Sequence, residues 1–280
     1  MDITLKEKIL TELIDELEND RLVLPSLPEV ALKVRDTASN PNVTSKQLAE
    51  IIGNDAALTA RLIQIANSPL LRGAQRIDSL NLAITRMGSG MVKNCVNSII
   101  VKQIFHPKTT ITEKRFKTFW EHSTEVAAIS VALASVTRLK GDEAMLAGLV
   151  HDIGTLPIIK RAETIPELLA DEQLFDEITA ELHTRIGHQL LLRWEFPSAI
   201  AEAAGAHENL RRHETDSADI TDIVIVANLQ SYFGKTHPHA DAPWETVPAF
   251  AKLGIATDFS FLEEGDTNES VGAIQKALMG

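Results

Sequence analysis

Apolar residues recur along this chain at three- and four-residue spacing, in blocks separated by Gly, Pro and short polar runs. That period places them on one side of a helix, whereas a half-buried strand would alternate every second residue. Leu5, Ile9, Leu10, Leu13, Ile14 and Leu17 form the first such face, opposite Lys6, Glu7, Glu12, Asp15 and Glu16, and predict an amphipathic helix over residues 4–18. Leu24-Pro-Ser-Leu-Pro28 then forces an extended turn, and Pro28 opens a second helix through Val30, Leu32 and Val34 to Thr37. After the Asn40-Pro41-Asn42 break, Thr44 or Ser45 caps a helix that Gly53 ends. Another begins at Asp55, runs through Leu58, Leu62 and Ile65 towards Asn67, and stops at Pro69.

The pattern continues from Ser79 to Phe105 as two helices on either side of Met87-Gly-Ser-Gly90. Periodicity lapses between Phe105 and Glu113, where a seam is expected between an N-terminal subdomain, residues 1–106, and a C-terminal one, residues 107–280. A long helix from about Glu113 to Leu139 follows, with Phe116, Phe119, Trp120, Val126, Ala127, Val131 and Ala134 on its apolar side and His122 within it. Ala144, Met145, Gly148 and Leu149 predict a buried helix that delivers His151 and Asp152 and is stopped by Gly154. Helices are also expected over 165–170, 175–194, 198–207 and 220–233, with polar loops at 208–219 and 234–243 and two small helices in the tail. No strand pattern is strong enough to build a sheet, so the expected fold is an all-α helical bundle.

Composition agrees with this and narrows the function. Hydrophobic residues make up 44% of the 280, enough for a large core, while an aromatic share of 5% favours packed helices over sheets. Lys and Arg number 27 against 39 Asp and Glu, a net charge of -12 that repels phosphate backbones. Residues 44–67 carry two short helices joined by Gly53-Asn-Asp, which resemble a DNA-reading helix-turn-helix on paper. Only Arg61 and Gln64 could reach bases from the second helix, so an ordinary αα-hairpin is the better interpretation and no general nucleic-acid binding is expected. The single cysteine, Cys95, excludes an internal disulfide and suits a buried core thiol. No apolar run reaches the ~18 residues of a membrane span, and Met1-Asp-Ile-Thr-Leu-Lys-Glu-Lys8 has no signal-peptide pattern, so a soluble cytoplasmic protein is expected.

The chemistry concentrates where His151-Asp152 ends a buried helix. Buried ionisable groups cost several kcal/mol unless bonded, paired or bound to a metal, so this doublet asks for partners from elsewhere. The candidates are His122, His183 and His207 on other helices, and Asn228, the only polar residue between Ile223 and Leu229. Imidazoles with a carboxylate suit divalent Mn, Fe, Zn or Mg. A metal there would lower the pKa of a bound water for attack on phosphorus. His106, His188, His213, His237 and His239 look like surface or loop residues without a role.

These residues and their spacing resemble a known family. The order His122, His151-Asp152, His183, His207 resembles the HD superfamily of metal-dependent phosphohydrolases. More closely, the chain from about Leu22 onward resembles the HDOD family, HD-related output domains of bacterial signalling proteins. The pieces are Leu24-Pro-Ser-Leu-Pro28, Asn54-Asp-Ala-Ala-Leu-Thr-Ala-Arg-Leu62, Ala66-Asn-Ser-Pro69, Ala83-Ile-Thr-Arg-Met-Gly88, Ala147-Gly-Leu-Val-His-Asp-Ile-Gly154, His183-Thr-Arg-Ile-Gly187 and Trp194-Glu-Phe-Pro197. The resemblance implies an HD-like C-terminal half beneath an HDOD-specific N-terminal half. It implies that His122, His151 and Asp152 hold a metal, with Asp152 also catalytic, and that His183 and His207 serve a second one. Asn228 stands where active HD enzymes carry a final aspartate, which would leave Asp152 the only carboxylate of the set. Thr155 in place of a lysine, and no Gly-Tyr-Pro triplet, disfavour the cyclic-di-GMP phosphodiesterase branch. The expected function is therefore a signal-transduction output module of little or no catalytic activity, partnered by a signalling protein or a small phosphorylated ligand. The alternative is a working phosphohydrolase of nucleotides or phosphoesters.

Overall fold

A computed structural model describes residues 4–19, 21–22, 29–38, 40, 42–68, 71, 76–105, 107–213, 216–235, 237, 239–240, 242–257 and 265–279. The turn at Leu24–Pro28, the stops at Pro41 and Pro69, and His106 lie outside the described residues. The described part is all-helical, without strands.

The N-terminal helices are α1 (Leu5–Glu18), α2 (Glu29–Ala38), α3 (Ser45–Ile52), α4 (Ala56–Ala66) and α5 (Leu80–Ile104). Capping boxes start α1 at Thr4, with Glu7, and α3 at Thr44, with Gln47, so two orphan amides at each start are satisfied locally. Helix α5 breaks at Gly88, whose φ of 76° suits a residue without a Cβ, within the Met87-Gly-Ser-Gly90 stretch where two helices were expected to part. Helices α2, α3 and α4 pack on α5, while α1 crosses to pack on a helix of the C-terminal part.

That part is built on α6 (Thr110–Val136) and α7 (Gly141–Val150). Around them lie α8 (Thr155–Ala162), α9 (Pro166–Ala170), α10 (Glu172–Arg193), α11 (Ser198–Ala206) and α12 (Ile220–Ser231). The tail adds α13 (Pro248–Leu253) and α14 (Gly265–Met279). Helix α8 differs from expectation. Gly154 ends a turn as foreseen, but a new helix begins at the next residue and buries Leu156, Ile158, Ile159 and Ala162.

Two glycines set the spacing that the site depends on. A Cβ on Gly148 would stand 2.6 Å from Ser130 Oγ and 2.9 Å from Ala127 Cα, so α7 lies almost backbone to backbone on α6. A Cβ on Gly154 would stand 1.9 Å from the carbonyl oxygen of His183, so α10 rests directly on the His-Asp turn. Arg115 strengthens the α6–α10 contact by stacking over Phe175 at 3.7 Å. One continuous apolar core runs from Ile9 to Leu278 across both parts of the chain.

Candidate metal centre

Each expected histidine reaches the centre because a helix end or helix face is fixed there. His122 projects from the middle of α6, His151 and Asp152 leave the C-terminal end of α7, His183 faces inward from α10, and His207 caps α11. His151, His183 and His207 are buried, and Asp152 keeps 18% of its side chain exposed.

Asp152 stands at the middle with its two oxygens facing opposite ways. Oδ2 lies 3.5 Å from His122 Nε2 and 3.4 Å from His151 Nε2. Oδ1 lies 3.4 Å from His183 Nε2 and 3.1 Å from His207 Nε2. Within each pair the two Nε2 atoms approach to 3.2 Å. The donors therefore form two metal-sized groups, His122/His151/Asp152 and Asp152/His183/His207, which share one carboxylate.

The far side of each ring shows why these nitrogens fit a cation. Nδ1 of His151 donates to Gly148 O at 2.7 Å, that of His183 to Thr179 O at 2.7 Å, and that of His207 to Ala204 O at 3.1 Å. Ser231 Oγ spends its proton on Asn228 O at 2.7 Å, so it can only accept from His122 Nδ1, at 3.5 Å. In the neutral form of each ring these contacts draw the proton to Nδ1 and turn the Nε2 lone pair inward, as metal-ligating histidines require. Two inward lone pairs 3.2 Å apart repel unless a proton or a cation lies between them.

The electrostatics follow from burial and this single anion. Burial lowers the pKa of His151 to about 3, keeping it neutral. Burial opposes charge on His207 too, but its hydrogen bond and attraction to Asp152 outweigh that and raise it. For Asp152, burial opposes ionisation, yet the surrounding His151, His207 and His183 hold its carboxyl well below the ordinary range.

Asn228 lies at the edge of this layer. Its Nδ2 points to Glu208 Oε1 at 3.4 Å, and its buried Oδ1 has no hydrogen-bond partner among the described residues. A second carboxylate stands at the edge of the layer, outside both metal-sized groups. Glu208 Oε1 lies 3.6 Å from His207 Nε2, and Oε2 bonds His239 Nε2. Burial raises the pKa of Glu208, but the bond from His239 and the neighbouring imidazoles outweigh this and bring it to about 2.

His239 and His237, expected to be surface or loop residues without a role, lie beside this layer, His239 on Glu208 and His237 on Tyr232. His237 stacks on Tyr232 at 3.5 Å between ring centroids, and Tyr232 stacks on His122 at 5.2 Å with its hydroxyl 3.4 Å from Nε2. No periodicity marks Glu208 or these histidines. The available signal was Glu208 following a candidate ligand directly. Outside this layer, a cavity of about 660 Å³ is lined by His122, Tyr232, His237, Lys235, Gln275 and Lys276, among others.

Comparison with known proteins agrees with this architecture. No curated protein matches the chain. A structure from Shewanella amazonensis SB2B, described as a candidate metal-dependent phosphohydrolase, is 28% identical over 98% of this chain and 99% of its own, with a TM-score of 0.88. An HDOD domain protein of unknown function from Geobacter sulfurreducens shares the fold at 23% identity, covering 97% of each chain, TM-score 0.67. A candidate signal transduction protein from Marinobacter aquaeolei VT8 does so at 18% identity, over 100% of this chain and 67% of its own, TM-score 0.61. Residues 24–210 match the HDOD domain itself, and the chain therefore belongs to the HDOD family.

Proposed function

We propose that this HDOD chain is a signal-transduction output module that retains a divalent-metal centre and receives a small phosphorylated ligand beside it. The observation that carries this is the convergence of four Nε2 lone pairs on the two oxygens of Asp152, at 3.1 to 3.5 Å. Without a cation the facing lone pairs are relieved only by a proton, such as the one that Asp152 favours on His207, and a divalent ion would relieve both pairs at once.

His122, His151 and Asp152 would hold one ion, and Asp152, His183 and His207 a second, with Asp152 common to both. A donor set rich in imidazole favours Mn, Fe or Zn over Mg. The bound metal would supply Lewis acidity and a lowered pKa for coordinated water. Asp152 and the fixed Nδ1 contacts orient the donors, and Tyr232 and His237 stack beside His122 on the cavity side. Lys276 and Lys235 line that cavity beside Glu121 and Glu125, with Lys235 paired to Glu125 at 2.6 Å, so a phosphate-bearing ligand would meet Lys276 and the metal rather than a cationic wall.

A second function, hydrolysis of a phosphoester, is favoured by one observation. Asp152 and His122 keep 18% and 16% side-chain exposure, and His122 borders the cavity, so a ligand can approach the centre. Elemental analysis of protein purified without chelator is expected to find bound divalent metal, which Asp152→Asn removes. A nucleotide and phosphoester panel with added Mn separates the two functions. Binding without turnover supports the output module; metal-dependent turnover lost in Asp152→Asn supports the hydrolase. Absence of metal under any divalent supplementation would refute both.

A further inference from the structure

The four imidazoles are neutral donors, so Asp152 alone would bring one negative charge to two divalent positions. Hard and borderline cations bind more tightly as anionic oxygens are added to the donor set. Glu208 borders the second position on the His207 side, just outside the group whose donor atoms lie within 4.8 Å of one another, and a side-chain rotation is what would bring it in. Its Oε1 lies 3.6 Å from His207 Nε2, the nitrogen that is itself 3.1 Å from Asp152 Oδ1 and 3.2 Å from His183 Nε2.

The contacts of Glu208 divide its two oxygens. Oε2 is taken by His239, whereas Oε1 receives only the longer bond from Asn228 Nδ2 at 3.4 Å and faces the His207 side. The loop carrying it is anchored independently. Buried Arg212 pairs with Asp219 at 2.7 Å and with Asp222 of α12 at 3.4 Å, and Lys252 of α13 joins Asp222 at 3.2 Å. At position 228 an aspartate would repel Glu208, whereas the amide of Asn228 donates to it.

We infer that Glu208 is a fourth protein ligand of the metal position formed by Asp152, His183 and His207, and that Asn228 is its positioning residue. This rests on the metal-centre function proposed above. The competing role is an anchor: Glu208 could serve only to hold the His237–His239 loop through His239.

Calorimetric titration with Mn, together with elemental analysis after desalting, distinguishes them. Wild type is expected to take two equivalents. Glu208→Gln keeps the shape and removes the charge, and should weaken the second equivalent by at least about tenfold while leaving the first unchanged. Glu208→Asp, with the charge on a shorter arm, should fall between the two and serves if the glutamine variant does not fold. His239→Ala should leave both equivalents bound. Two equivalents of wild-type affinity in Glu208→Gln would overturn the inference alone, as would a loss in His239→Ala equal to that in Glu208→Gln. A wild-type protein that binds no divalent metal would overturn the metal centre itself, and the inference with it.

Discussion

His151 shows how one side chain ties the centre to pH. Its pKa, about 3 in the folded chain against an ordinary 6.5, is depressed first by burial. The unfolded chain therefore takes up a proton near pH 6.5 that the folded chain refuses, and stability is lost progressively as pH falls from about 6.5 towards 3. His207 works the other way: its raised pKa contributes stability that is complete below 6.5 and is lost as pH rises through the folded value. Metal-free protein should accordingly melt at falling temperatures as pH is lowered from 6.5 to 4, and His151→Gln should flatten that slope. Protons also compete with metal for Nε2, so Mn should raise the melting temperature more at pH 7.5 than at pH 5.5. Differential scanning calorimetry across this range, with and without chelator, measures both effects; an Mn increment independent of pH would exclude histidine ligation.

Between elements, the decisive contacts are backbone approaches rather than side-chain bonds. Gly154→Ala would place a methyl 1.9 Å from His183 O and 2.6 Å from Gly187 N, and neither atom can rotate away. Helix α10 must shift, carrying His183 from Asp152. A loss of at least about 2 kcal/mol is expected, with weakened metal retention. Gly141→Ala, at the open start of α7, meets nothing within 4 Å and should be neutral or stabilising by up to about 1 kcal/mol. Urea melts of the pair check this. The same contacts explain what the sequence makes legible. His122, His151, His183 and His207 could be grouped because each lies on a periodic helix or at a helix end marked by small residues. Glu208 could not, because its contacts with Asn228 of α12 and with His239 come from segments remote in sequence and no periodicity marks it. Helix α8 was hidden because Gly154 signals a stop equally well whether the chain leaves as a loop or turns a corner into a new helix.

At the scale of the whole molecule, α14 joins what the periodicity separates near residue 106. It packs on both α6 and α4, buries Ile274, Ala277 and Leu278, and accepts a hydrogen bond from Arg61 Nη1 on the carbonyl of Leu278 at 3.0 Å. With α5 also lying on α7, the described core is continuous between the α2–α5 layer and the C-terminal helices, and the two are expected to melt together. The chain carries its own probes. Cys95 is buried in α5, where burial raises its thiol pKa and suppresses labelling, whereas Trp120, Trp194 and Trp244 are buried in the C-terminal part. Thiol labelling and tryptophan fluorescence should share one urea midpoint. Leu278→Ala removes a fully buried side chain at the junction and should cost about 2–5 kcal/mol. Because the junction belongs to both layers, both midpoints should fall together. A Cys95 midpoint that drops while the tryptophan midpoint stays fixed would instead mean that the layers fold independently, with α14 contributing only to the first.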